Sequence, residues 1–339
     1  MKFGKKLLAI GMAALMSASV LAGCSQTGGN GDAGQGAAGE KVYKVGVVQY
    51  ADHPSLDNCR DGFVQGLKEN GFEEGKNLEL TMKSAQGNDA TNIQIAQTFV
   101  SNKMDLVCGV ATPSAMALYN VCYDKKIPVI FNAVSDPVEA KLAKSKTEAL
   151  EGISGISDAL PVEHQLQLIR QILPDAKKIG IVYTTSEANS VSTIATYKEL
   201  VGSYGFELVE KGISNAAELP QAMDILVSEV DCISNMTDNT VVNNLPVLLE
   251  KANAKKIPVF GSEEEQVGNG CIASAGIDYI DLGKKAGAMA AKVLKGEDIS
   301  SMPYETITES KVTVNPAAAA EIGIQIPEEV MSHAEVKEN

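Results

Sequence analysis

Tryptophan is absent from the 339 residues, and histidine occurs three times, as His53, His164 and His333. So few histidines leave little from which to build a histidine metal centre. Six cysteines are present (Cys24, Cys59, Cys108, Cys122, Cys232 and Cys271), but no two stand in a CxxC or similar spacing. That excludes a zinc ribbon or a thioredoxin-type redox pair. The last four lie in or beside apolar runs, where a thiol acts as a small hydrophobe. Setting Cys24 aside leaves five, an odd number, and no disulfide framework. A phosphate-binding GxxxxGK[ST] loop, a GxSxG elbow, an HExxH helix and a GxGxxG after the first strand are all missing. No nucleophile and base pair by spacing, so neither an enzyme nor a cofactor is expected. Positive charge is scarce as well. The formal net charge is -14, and it becomes -17 once Lys2, Lys5 and Lys6 of the first 23 residues are set apart. Such a surface repels phosphate backbones and anionic lipid, so no nucleic-acid partner is expected.

The N-terminus is a targeting pattern. Three lysines precede an apolar stretch, Leu7 to Ala22, too short for a span of about 20 residues. It ends Leu21-Ala22-Gly23-Cys24, which resembles a bacterial lipobox. That resemblance implies cleavage before Cys24 and acylation of its thiol, with palmitate-type chains holding the protein at the membrane. Ser25 to Glu40 is rich in Gly, Ala, Ser and Asn and has no core-forming residues. It reads as a flexible tether of about 20–24 Å root-mean-square reach.

Beyond the tether the chain repeats itself. Lys125-Lys126-Ile127-Pro128-Val129 returns as Lys255-Lys256-Ile257-Pro258-Val259. Each copy follows an apolar run starting at an aspartate (Asp105, Asp231), a small polar tip and a helical segment, and each leads to a second tip. Lys178-Ile179-Gly180-Ile181-Val182 echoes Lys44-Val45-Gly46-Val47-Val48, and Gly205-Phe206 echoes Gly71-Phe72. A unit of strand, tip, helix, buried strand, tip is half of a parallel α/β sheet, so two similar Rossmann-like, doubly wound lobes are expected. After Ile277-Asp278 the spacing predicts a helix over 279–294 and one strand over 306–314. These extra elements fit a chain that crosses between lobes three times, forming a hinge. The expected division is a signal segment at 1–23, a lipidated tether at 24–41, a first lobe at 42–157 plus 278–305, and a second at 158–277 plus 306–335.

The residues His53-Pro54 with Leu56-Asp57, Ala85-Gln86-Gly87, Ala111-Thr112-Pro113 and Ala133-Val134-Ser135-Asp136-Pro137 form an ordered set. Pro161-Val162-Glu163, Glu187-Ala188-Asn189-Ser190, Thr237-Asp238-Asn239-Thr240, Gly276-Ile277-Asp278-Tyr279 and Leu282-Gly283 continue it. The set resembles the extracytoplasmic substrate-binding lipoproteins of ABC importers, in particular the family associated with tryptophan and tyrosine uptake. The resemblance covers roughly residues 44–331. It implies a type I periplasmic-binding fold, an amino-acid ligand of hydrophobic or aromatic character, and a permease with its ATPase as partner. A monomer is expected. A lipoprotein sensor or surface receptor for a nucleoside or sugar is the alternative. Asn235 and Met236 depart from the usual apolar strand end, and Glu263-Glu264-Glu265 makes one rim unusually acidic.

Ligands of open α/β sheets bind beyond the carboxyl ends of the strands, so the tips are the candidate site. Thr112, before Pro113, is expected to cap a helix, and its hydroxyl, that of Ser114 and the helix-start amides suit a carboxylate. Ser135 and Asp136 adjoin that spot, Asp136 serving either the site or a turn. In the second lobe Asp238, between Thr237 and Asn239, either caps a helix or receives a ligand ammonium. Asn189, Ser190 and Ser262 stand at neighbouring tips. Asp278 either faces the ligand or locks the hinge. Tyr50, Leu56 and Tyr279 are candidates for side-chain contacts.

Overall fold

The computed structural model describes residues 41–337, so the targeting pattern, Cys24 and nearly all of the tether lie outside the described residues. The first strands and helices alternate: β1 (Tyr43–Gln49), α1 (Pro54–Glu69), β2 (Leu78–Ser84), α2 (Asp89–Ser101), β3 (Leu106–Val110), α3 (Thr112–Cys122) and β4 (Val129–Asn132). A small hairpin of β5 (Ala143–Ser145) and β6 (Glu148–Ala149) precedes β7 (Ile153–Ser157). The second run is α4 (Val162–Ile172), β8 (Lys178–Thr184), α5 (Ala188–Leu200), β9 (Glu207–Ile213), α6 (Leu219–Leu226) and β10 (Cys232–Ser234). It continues with α7 (Asn239–Asn243), α8 (Leu245–Ala254), β11 (Val259–Gly261), α9 (Glu264–Gly268) and β12 (Ala273–Gly276). The chain ends with α10 (Tyr279–Leu294), β13 (Glu305–Thr306), β14 (Lys311–Val314), α11 (Pro316–Glu321), α12 (Glu328–Met331) and β15 (Glu335–Val336).

Two sheets result. One runs β13-β7-β4-β3-β1-β2, all parallel; the other runs β15-β14-β12-β11-β10-β8-β9, with β14 antiparallel to β12. Reading only the first five strands of each run, both have the order 2-1-3-4-5 of a doubly wound sheet. Continuous apolar runs such as Val45–Val48 form the central strands because helices cover both faces. The chain passes between sheets after Ser157, after Gly276 and between Thr306 and Lys311. The single strand expected over 306–314 is therefore two strands in different sheets, since residues 307–310 carry the chain across.

The sequence echoes have physical causes. Asp105 Oδ2 accepts the N–H of Lys44, and Asp231 Oδ2 accepts those of Lys177 and Lys178. Each aspartate thus ties the start of a third strand to the start of the first. Lys126 and Lys256 both take φ 55, the left-handed turn that ends a helix and lets Ile127 and Ile257 donate back to Cys122 and Ala252.

Helix α10 returns to the first sheet and packs on α1. A Cβ on Gly62 would lie 2.3 Å from the Ile280 carbonyl oxygen, and one on Gly283 2.3 Å from that of Cys59. Backbone meets backbone here, so only glycine fits. The pairing holds the two helices tightly against each other along their middle turns.

Candidate interlobe binding site

A small cavity lies between the lobes. From the first sheet come His53, Ser55, Leu56, Ala111, Thr112, Ala133 and Ser135; from the second, Asn189, Thr237, Asn239 and Glu263; Asp158 and Tyr279 lie on crossings. The doubly wound order explains the convergence, because the strand ends at both switch points (β1 and β3, β8 and β10) point there. The two walls touch: Ser55 donates to Glu263, and Asn58 to Glu265.

Several buried polar atoms on the wall have no hydrogen-bond partner: both ring nitrogens of His53, Thr112 Oγ1 and Asn189 Oδ1. Orphaned polar atoms of this kind cost free energy unless something binds them. Burial lowers the His53 ring to about 4, so it is neutral and offers one donor and one acceptor. His53 precedes α1 and Ala111 precedes α3, and neither helix start has a side-chain cap. First-turn N–H groups are thereby left for an anion. Ala111 adopts φ 77, ψ 155, a region nearly reserved for glycine.

Acidic groups enter from two sides. Asp158 accepts from Ser135 Oγ and from the Tyr279 hydroxyl, each at 3.0 Å, and burial raises its carboxyl. Burial, then Glu265, pushes Glu263 up to about 8. No lysine or arginine lines the cavity. Among the described residues no group of three or more His, Cys, Asp or Glu is placed to hold a metal. A neutral donor set on one wall and buried carboxylates on the other suit a ligand carrying both a carboxylate and an ammonium.

Residues 44–337 match the family described as ABC transporter substrate binding protein. The chain belongs to this family. The tyrosine-binding protein of Clostridioides difficile (strain R20291) is 39% identical to this binding protein over 92% of its chain and 90% of the relative's. A structure of an ABC domain in complex with L-Trp from Streptococcus pneumonia is 32% identical, covers 87% of this chain and 100% of its own, and superposes with a TM-score of 0.84. The ligand-free, open structure of a substrate-binding protein with adhesive properties from Clostridium difficile covers 88% and 100%. It is more similar in sequence at 38%, yet superposes at only 0.68. In this structure the two lobes close directly on each other through the Ser55–Glu263 and Asn58–Glu265 contacts.

Of the sequence candidates, the structure brings Leu56, Thr112, Ser135, Asn189, Thr237, Asn239 and Tyr279 onto the cavity. Tyr50 and Pro113 instead line a neighbouring groove, and the Tyr50 hydroxyl donates to Asp89. Ser114 donates to Asn92, Ser190 to Asp238, and Ser262 accepts from Gln266; all three lie behind the wall. Asp136 accepts the N–H groups of Val138 and Glu139, a turn role. Asp278 caps α10 and pairs with Lys311 at 2.8 Å beside the crossing. Thr112 is the first residue of α3, not its cap; Ala111 holds that position, which frees the hydroxyl.

Asp238 is a cap and does not line the cavity. It accepts from Thr184 N and Oγ1, Ser190 Oγ and Val241 N, which leaves nothing for an ammonium. The residues missed were His53, Ser55, Ala111, Ala133, Asp158 and Glu263. His53, Ala111, Ala133 and Glu263 stood inside noted motifs or tips without being singled out, and Asp158 directly follows the last strand before a crossing.

Proposed function

We propose that this protein captures one hydrophobic or aromatic α-amino acid outside the cytoplasmic membrane and delivers it to an ABC permease with its ATPase. The observation that carries the reading is the polarity of the closed cavity. Orphaned neutral groups at two uncapped helix starts stand on the first lobe, and buried carboxylates face them. The ligand carboxylate meets His53, Thr112 and the first-turn amides of α1 and α3. The ammonium meets the buried carboxylates, and the side chain rests on Leu56, Ala111 and Ala133. Tyrosine and tryptophan are the first candidates, because a relative at 39% identity is named for tyrosine and a structure at 32% holds L-Trp. No chemical step is assigned to the site.

Placement at the membrane rests on the lipobox-like Leu21-Ala22-Gly23-Cys24 and the polar stretch after it. Lipid on Cys24 anchors a tether to about residue 41. The lobes are 42–157 with 278–305 and 158–277 with 306–335, hinged at the three crossings. Among the described residues no helix is long and apolar enough to cross a membrane, so the anchor on this reading is the acyl chain.

The test is a thermal-shift panel of L-tyrosine, L-tryptophan, L-phenylalanine, nucleosides and sugars. A ligand at a hundred times its Kd adds about 2.7 kcal/mol to stability. Shifts confined to aromatic amino acids support the reading. A shift with an uncharged sugar and none with any amino acid overturns it.

A further inference from the structure

The seam where the lobes meet is built from acid. The first turn of α1 faces the start of α9 through Ser55–Glu263 and Asn58–Glu265. Both described hydrogen bonds to Glu263, from Ser55 and Gln266, end on Oε1, leaving Oε2 with none. Glu265 Oε2 is buried with no partner. Glu263 is fully buried and lines the cavity. The ionisable groups around it are Glu265 on α9, Asp158 and Tyr279 on the crossings, Cys59 on α1 and Cys271 before β12. His53 lines the same cavity from the first lobe. The neighbouring cation, Lys337, pairs with Glu264 at 3.5 Å and with Glu335 at 3.0 Å, not with Glu263. Asp158 differs, because each of its oxygens already receives a hydroxyl.

We propose that Glu263 is the acceptor for the ligand's amino group, and that a cleft without that group closes only by placing a proton on the same carboxylate. This rests on the amino-acid reading for its first half; the second half needs no ligand. Closure takes Glu263 from water, where a glutamate titrates near about 4.3, to a buried seam where it titrates at about 8. A group raised in the closed state favours closure fully below its open-state value and loses that favour as pH rises through about 8. The ligand-free closed-to-open ratio should therefore rise about tenfold per unit as pH falls from about 8 to 6.5. Below about 6.5 His53 opposes it, because its closed-state value is lowered to about 4 and its open form gains a proton first. A bound ammonium replaces the proton, so loaded closure at neutral pH takes up none. The device keeps the unloaded receptor open and lets an amine ligand close it, which is a differential affinity for one state.

Two measurements test this on the mature protein. Single-molecule energy transfer between one label on each lobe follows the ligand-free closed fraction from pH 8.5 to 6.5. The wild type should show the tenfold-per-unit slope. Glu263→Gln, a mimic of the protonated acid, should be flat and shifted toward closed by roughly a hundredfold or more at pH 7.5. A flat wild type, or an unchanged slope in Glu263→Gln, overturns the latch. Calorimetry of L-tyrosine at pH 7.5 in buffers of different ionisation enthalpy should show no net proton uptake. Uptake of most of a proton would mean Glu263 stays protonated beneath the ligand, which overturns its role as acceptor. If the slope holds and no amino acid binds, the latch stands and the ligand assignment alone falls.

Discussion

Thr112 and Thr237 stand at the same station of two sheets with the same strand order, one after β3 and one after β10, yet the helices beyond them are finished differently. In the second lobe every free first-turn amide of α7 is taken. Glu187 accepts the N–H groups of Asn239 and Thr240, each at 3.0 Å, and Asp238 accepts that of Val241 at 2.9 Å. Burial, then Asp238, raises the Glu187 carboxyl, so two acids are held together to saturate one helix end. In the first lobe α1 and α3 begin with no side-chain cap and with His53 and Thr112 unpartnered. At this station the second lobe's helix is capped from within, while α3 of the first lobe is left open to the cleft. A duplicated architecture thus has one self-capped helix start and, at the matching place in the other lobe, one that waits for an anion.

The contrast breaks most visibly at Asp238. Asp238→Ala strands the buried amides of Thr184 and Val241, each worth about 1–3 kcal/mol, against a modest gain from relieved repulsion on Glu187. Chemical denaturation should show a loss of about 3 kcal/mol or more. Calorimetry on the protein that remains folded should show L-tyrosine affinity within about threefold of wild type, since Asp238 touches no ligand. A tenfold affinity loss without a stability loss would restore Asp238 as a ligand contact.

The converse holds for His53 and Thr112. His53→Leu removes a ring whose nitrogens make no well-formed hydrogen bond, with the Asn239 side chain beside them, so stability should change little. Affinity should fall by about 1.5–3 kcal/mol, the usual worth of a hydrogen bond to a charged group. Thr112→Val should cost about 0.5–1.5 kcal/mol of affinity, with stability equal to wild type or slightly higher because a buried orphan hydroxyl is gone. Calorimetry and melting on the two variants decide the matter. Stability losses with unchanged affinity would make these residues structural and erase the difference between the lobes.

Much of the architecture was written in periodicity and repetition. The KKIPV copies, the paired aspartates and the echoing first strands mark backbone tasks that each lobe performs, and such tasks recur in sequence because their geometry recurs. The cavity was legible only at the level of tips. Thr112, Asn189 and Tyr279 were found because they follow strand ends. Asp238 was placed on the wall because its charge fitted a ligand, while Thr184 and Ser190, 54 and 48 residues away, had already claimed it. Glu263 was visible as an acidic rim, but its burial depends on Ser55, 208 residues distant. Local pattern shows where a side chain stands on its strand or helix. Which partner satisfies it is decided across the cleft, by contacts that no spacing records.

The smallest effect concerns the backbone at Ala111, the residue that replaces a capping side chain before α3. Its φ of 77 and ψ of 155 cost a non-glycine residue about 1–3 kcal/mol. Glycine there would relieve that strain and give back about 0.5–1 kcal/mol in chain entropy. Ala111→Gly should therefore stabilise the protein by about 1 kcal/mol, visible as a rise of about 2–4 °C in Tm. The methyl group also forms cavity wall, so its loss should weaken an aromatic ligand by about 0.8 kcal/mol, the worth of one buried carbon. A strained alanine kept where glycine would be more stable is what a wall residue should look like. Ala111 has no counterpart at the start of α7, where Asp238 caps the helix in ordinary extended geometry. If Ala111→Gly gained stability and bound as tightly as wild type, the methyl would have no part in the site, and the strain would belong to the turn alone.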